Sequence, residues 1–123
     1  MLWNTGLKFD AIDPLIDEYN KILELGVNYG KNFDKKYDWI WCVNVLDHDK
    51  NPENIVNDIK NKLKKGGKIY LEINFNDVLS PAHYEIYNEQ RVNELFSDFK
   101  KIKSTVVRNP NYAQHCFYAI YEI

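Results

Sequence analysis

The stretch Tyr37-Asp38-Trp39-Ile40-Trp41-Cys42-Val43-Asn44-Val45-Leu46 is apolar almost throughout and rich in β-branched and aromatic side chains. A strand buried on both faces reads this way, as in the middle of a parallel sheet. An edge strand of this kind would invite aggregation, so residues 37–46 are expected to be central, with a strand on each side and Trp41 buried. Downstream, Asn51-Pro52-Glu53 supplies a cap, a proline and an acid in the order that opens a helix. Ile55, Val56, Ile59 and Leu63 give that helix one apolar stripe. Lys62, Lys64 and Lys65 fall at its C-terminus, where the helix dipole favours cations, and Gly66-Gly67 ends it. The lysine cluster therefore reads as a solvated helix end. Ile69, Leu71, Ile73 and Phe75 alternate with Tyr70, Glu72 and Asn74, which predicts a strand over 68–75.

The same pattern continues towards both ends. Val92, Leu95, Phe96 and Phe99 predict a helix within 88–99, and strands are expected at 102–107 and 116–121, joined through the turn-forming Asn109-Pro110-Asn111-Tyr112. Upstream, residues 8–12 read as a short strand that stops at Asp13-Pro14, a cap and first-turn proline. Leu15, Ile16, Tyr19, Ile22 and Leu23 carry helical spacing up to Gly26, and Val27-Asn28-Tyr29 reads as a brief strand. Alternating strands and helices predict an α/β sheet, parallel at first and closed by an antiparallel hairpin.

The chain has 123 residues, 45% of them hydrophobic and 28% charged, which fits one globular domain. No apolar run approaches the ~20 residues needed to span a bilayer, and the first residues lack a secretory pattern; a cytoplasmic location is expected, with no membrane partner. The formal net charge of −2 offers no global basic patch, so no nucleic-acid partner is expected. Cys42 and Cys116 lie in apolar strand-like runs and read as buried free thiols.

Taken together, Tyr37-Asp38 through Asn44-Val45-Leu46-Asp47-His48 resembles the fourth strand and following loop of class I S-adenosylmethionine-dependent methyltransferases. The helix opening Asn51-Pro52-Glu53 and the segment Leu63-Lys64-Lys65-Gly66-Gly67-Lys68-Ile69-Tyr70-Leu71-Glu72 resemble the elements that follow in that family. Ala11-Ile12-Asp13-Pro14 is similar to the end of its second strand, and the terminal hairpin to its last two strands. The resemblance implies a Rossmann-like methyltransferase-type sheet, mostly parallel with an antiparallel C-terminal hairpin, and S-adenosylmethionine as cofactor. It implies that residues 1–123 form a single partial domain, because none of the five glycines forms the GxG of the family's first loop. An incomplete gene product, a pseudoenzyme and one half of a composite protein all fit that departure.

By the same resemblance, Asp13 is placed to take the cofactor ribose hydroxyls, Asn44 to contact its amino-acid part, and His48 to line the active site as a general base. Lys31 stands where relatives carry an acid near the adenine, so binding by the chain alone is expected to be weak or absent. Methyl transfer to a small-molecule acceptor is the function implied; a noncatalytic interaction domain, acting through a partner or as a homodimer, is the alternative. Asp47, His48 and Asp49 are adjacent and cannot all aim at one ion with good geometry, so no metal site is expected. His83 and Tyr84 read as a surface loop. With the first strand's slot unfilled, residues 8–12 are expected to pair with 38–43, or a second chain to cover the open edge.

Overall fold

The computed structural model describes residues 10–12, 28–30, 34–76, 78–108 and 115–123. The chain divides into two compact units, Met1–Lys35 and Lys36–Ile123. In the first, β1 (Asp10–Ile12) pairs in parallel with β2 (Asn28–Gly30). This differs from the expected ladder between residues 8–12 and 38–43, which is not formed by any described residue. Strands that follow one another in the chain pair by the shorter route. Asp13, Lys31, the helix expected after Asp13 and the turn at 109–112 lie outside the described residues.

The second unit is a four-stranded mixed sheet in the order β3-β4-β6-β5, formed by Tyr37–Val43, Leu63–Phe75, His115–Glu122 and Lys100–Arg108 respectively. Strand β3 runs parallel to β4, while β6 is antiparallel to both β4 and β5, which gives the expected C-terminal hairpin. Parallel and antiparallel pairings are thus balanced among the described strands. Helix α1 (Pro52–Lys62) starts where its proline and Glu53 predict. Helix α2 (Glu89–Leu95) is capped by Asn88, whose side chain accepts the Arg91 N–H at 2.8 Å. Helix α1 ends at Lys62, ahead of the glycines expected to end it, and Leu63 already opens β4; Gly66, whose φ of 74° suits glycine, and Gly67 lie within that strand, as do Lys64 and Lys65. A Cβ on Gly67 would lie 2.8 Å from the Lys64 carbonyl oxygen, so the second glycine is required by close approach.

One face of this sheet makes the core. Ile69, Leu71 and Ile73 of β4 and Phe117, Ala119 and Tyr121 of β6 pack beneath Val56 and Ile59 of α1 and Val92 of α2, with Phe96 and Phe99 beyond it. Tyr121 stacks on Phe96 at 4.7 Å, and burial pushes its hydroxyl up to about 12. Arg91 ties the two helices together through Glu53 at 2.6 Å and also bonds Glu85. Strand β5 is an edge lined by Lys100, Lys101, Lys103 and Arg108, charges that discourage further pairing.

The central position expected for residues 37–46 is not what forms. Among the described strands β3 has β4 as its one neighbour, and β4 and β6 are the interior pair. Strand β3 ends at Val43, and Leu46–His48 form a 3-10 turn. Cys42 faces the core, whereas Trp39 and Trp41 on the opposite face are 49% and 52% exposed. The reason is the two-residue period of a strand: the described helices cover one face only. Cys42 is a buried free thiol, as expected, while Cys116 is free and half-buried. No described helix is long and apolar enough to cross a membrane.

The two aromatic positions should therefore respond differently. Phe117→Ala, at a fully buried site, should cost about 3–5 kcal/mol in urea unfolding, and Trp41→Ala roughly half that. A loss at Trp41 equal to that at Phe117 would contradict the one-faced core.

Candidate functional site

Parallel pairing brings the C-terminal ends of β3 and β4 to the same edge of the sheet. Asn44 leaves β3 with a φ of 50°, left-handed backbone that asparagine tolerates better than most residues. Its N–H still donates to Glu72 O at 2.9 Å, so the ladder is held while the chain turns away. The Asn44 Oδ1 accepts from Asn74 Nδ2 at 3.1 Å, and Asn74 Oδ1 accepts from the Cys116 thiol at 3.0 Å. One polar chain thus crosses β6, β4 and the end of β3. Asn44 is exposed, and its side-chain contact in this chain is made through Oδ1.

The 3-10 turn then buries two residues of opposite character. Leu46 joins the core, and its carbonyl accepts from the Tyr87 hydroxyl at 3.2 Å; burial raises that hydroxyl's pKa well above the ordinary value. Asp47 is fully buried, and neither carboxylate oxygen has a hydrogen-bond partner. Its backbone carbonyl accepts from Tyr84 N–H at 3.2 Å, which docks the loop after β4 on the turn after β3. Burial, with the Asp47 carboxylate adding to it, pushes the Cys42 thiol up to about 12, so Cys42 stays protonated and is not a nucleophile.

His48, exposed at the end of the turn, bonds through Nδ1 to the Ala82 carbonyl oxygen at 2.7 Å. A carbonyl only accepts, so this Nδ1 carries the proton. His83, half-buried, bonds through Nδ1 to Ser80 Oγ at 2.8 Å. A pair of backbone bonds between Ser80 and His83 (3.1 and 3.3 Å) closes the turn that carries it. The rings of His48 and His83 lie 4.6 Å apart, and both Nε2 atoms face Asp47 Oδ2, at 3.8 and 3.6 Å. Asp49 turns elsewhere and accepts the Asn51 N–H at 2.6 Å. Asn76 is a second buried side chain whose polar atoms lack partners.

Of the residues expected at the site, Asn44 and His48 both stand at the C-terminal edge of the β3–β4 pair, where α/β sheets bind ligands. His83, expected in a surface loop, is half-buried and faces Asp47, a neighbour that no local pattern indicates. The turn signal Ser80-Pro81 was legible, but the docking of that turn on residue 47 was not.

This arrangement has the fold of the S-adenosylmethionine-dependent methyltransferases. Burkholderia thailandensis 1,6-didemethyltoxoflavin-N1-methyltransferase, solved with bound 1,6-didemethyltoxoflavin and S-adenosylhomocysteine, superposes with a TM-score of 0.73 at 16% identity, over 95% of this chain and 61% of that one. The N-methyltransferase NodS from Bradyrhizobium japonicum WM9, in complex with S-adenosylhomocysteine, gives 0.67 at 12% identity, over 94% and 66%. No family model matches the chain. In sequence it is similar to the tRNA U34 carboxymethyltransferase of Campylobacter fetus subsp. fetus (strain 82-40), 32% identical over 69 residues, which are 56% of this chain and 24% of that protein. The chain spans about a quarter of the length of the curated relatives it matches.

The backbone at Asn44 provides a check on the geometry. Asn44→Val should be less stable than Asn44→Gly by about 1–3 kcal/mol in chemical denaturation, because a β-branched residue is strained at positive φ. Equal stability of the two variants would contradict the left-handed turn.

Proposed function

We propose that this chain forms the acceptor side of a methyl-transfer site served by S-adenosylmethionine, with a small molecule as acceptor. The observation that carries the reading is the convergence of Asn44, His48 and His83 where β3 and β4 end, on a fold shared with methyltransferases that hold S-adenosylhomocysteine. Asn44 fits the cofactor's polar amino-acid part, since its Oδ1 is engaged by Asn74 and its amide donors remain for a ligand. His48 and His83 line the acceptor side, together with the exposed apolar Val78, Leu79 and Ile86 of the loop after β4.

When bound, the cofactor supplies a methyl group on a sulfonium that leaves as a neutral thioether, so the protein needs no covalent nucleophile. What the chain must supply is alignment of the acceptor, and a cradle docked by backbone bonds provides it. The relatives named for tRNA suggest a nucleic-acid acceptor, but the net charge of −2 favours a small one. A cytoplasmic setting, where Cys42 and Cys116 stay reduced, belongs to the same proposal.

An NMR titration of the labelled chain with S-adenosylhomocysteine and S-adenosylmethionine tests this. Saturable shifts centred on Asn44 are expected, with a dissociation constant weaker than about 10 μM (about −7 kcal/mol), because no glycine pair of the GxG kind supplies close backbone contacts. Absence of saturable shifts up to millimolar ligand would sink the transferase reading. Binding tighter than that threshold would show that the cofactor contacts are complete.

A second reading, an interaction module that pairs with its own copy, draws on one observation. Trp39, Trp41, Val43 and Val45 are exposed on or just beyond a strand with a single described neighbour. That reading requires a dimer in sedimentation velocity that Trp41→Lys dissociates; a monomer at every concentration excludes it.

A further inference from the structure

We propose that Asp47, His48 and His83 form a binding site for a divalent metal of the zinc type. The starting point is the Asp47 carboxylate, fully buried and without a single hydrogen-bond donor on either oxygen. An ionised carboxylate in that position is costly unless a positive charge meets it. Two imidazoles face it, and both are held by their far nitrogens: His48 Nδ1 donates to the Ala82 carbonyl, and His83 Nδ1 is bonded to Ser80 Oγ. The Ala82 carbonyl fixes the His48 tautomer that leaves Nε2 bare, and the Ser80 hydroxyl, which can accept or donate, holds the His83 ring with its Nε2 towards the carboxylate, the outward bonding seen for metal-bound histidines.

Neither Nε2 hydrogen-bonds Asp47: the separations from Oδ2 are 3.8 and 3.6 Å, too long for hydrogen bonds. They suit a cation between the groups. Metal–ligand bonds of about 2.0–2.2 Å at tetrahedral angles put neighbouring donor atoms about 3.3–3.5 Å apart. One donor atom from each of the three residues already lies within 4.8 Å of the others; the two carboxylate–imidazole pairs have a few tenths of an ångström to close and the imidazole pair more, a movement the surface turn carrying His83 can supply.

Two imidazoles and one carboxylate select borderline cations such as zinc, cobalt or iron(II) over magnesium or calcium, which prefer all-oxygen shells. Three protein ligands leave at least one position open, the arrangement of a catalytic rather than a closed structural site. An oxygen or nitrogen of the acceptor could occupy it, held beside the transfer site and made more acidic by the ion. That last role rests on the proposed methyl transfer; metal binding itself does not.

The test uses the whole chain, stripped with a chelator and then titrated with Co²⁺ by visible absorption and with Zn²⁺ against a chromophoric chelator. One equivalent should bind with micromolar or tighter affinity, with visible bands of four- or five-coordination. His83→Gln, His48→Gln and Asp47→Asn should each weaken binding at least about tenfold to 100-fold, while His115→Gln, on β6, should not. Zn²⁺ should raise the Tm of the wild type and His115→Gln but not of His83→Gln. Because Asp47 is buried, its variant is read only if circular dichroism shows it folded; His83, on a surface turn, decides otherwise. Equal binding by His83→Gln and His115→Gln, or no stoichiometric binding by the wild type, would overturn the site. Either result leaves the cofactor titration unaffected, so the two proposals fail separately.

Discussion

The ladder between β4 and β6 runs without a register shift from Lys68 opposite Glu122 to Phe75 opposite His115. The rest of the second unit depends on that register. A slip of one residue in β6 would turn Phe117, Ala119 and Tyr121 away from the helices and leave Ile69, Leu71 and Ile73 without their neighbours in the core. With that face held, α1 and α2 have a single apolar surface to cover. Arg91, bonded to Glu53 and Glu85, then links α1 and α2 to the loop that carries His83. The tie at Glu53 is exposed and worth little by itself, but Arg91 limits where that loop can run.

The site follows from the one parallel pair in this unit. In an antiparallel pair the ends of β3 and β4 would lie at opposite edges, and the turn at 46–48 could not meet the turn at 80–83. Parallel pairing makes them neighbours, and two hydrogen bonds, Tyr84 N–H to Asp47 O and His48 Nδ1 to Ala82 O, dock one on the other. The same docking removes Asp47 from water without giving its carboxylate a donor. A fold selected for stability alone would place an apolar residue there, since an unpartnered buried carboxylate costs more than a buried leucine contributes. That conflict between local packing and global stability is typical of functional positions.

Much of this was determined by the amino-acid sequence alone. The Asn51-Pro52-Glu53 opening, the alternation through residues 69–75 and the terminal hairpin are local signals, and those elements formed where they point, whereas the first helix stopped at Lys62, short of the two glycines. Asn44 and His48 were legible because polar residues close an apolar run there, although the strand itself stops at Val43 and His48 ends the turn that follows. The position of β3 in the sheet was not, because an apolar run shows that a strand can be covered and not which neighbours arrive to cover it; Trp39 and Trp41 stand half exposed for that reason. Nor was the ladder of Asp10–Ile12 with Asn28–Gly30, a choice among edges that no local pattern encodes. Only the tertiary structure joined His83 to Asp47. The two belong to separate loops, and they meet because backbone pairing between β3 and β4, a long-range constraint, sets both loops at one edge where their own bonds can then dock them.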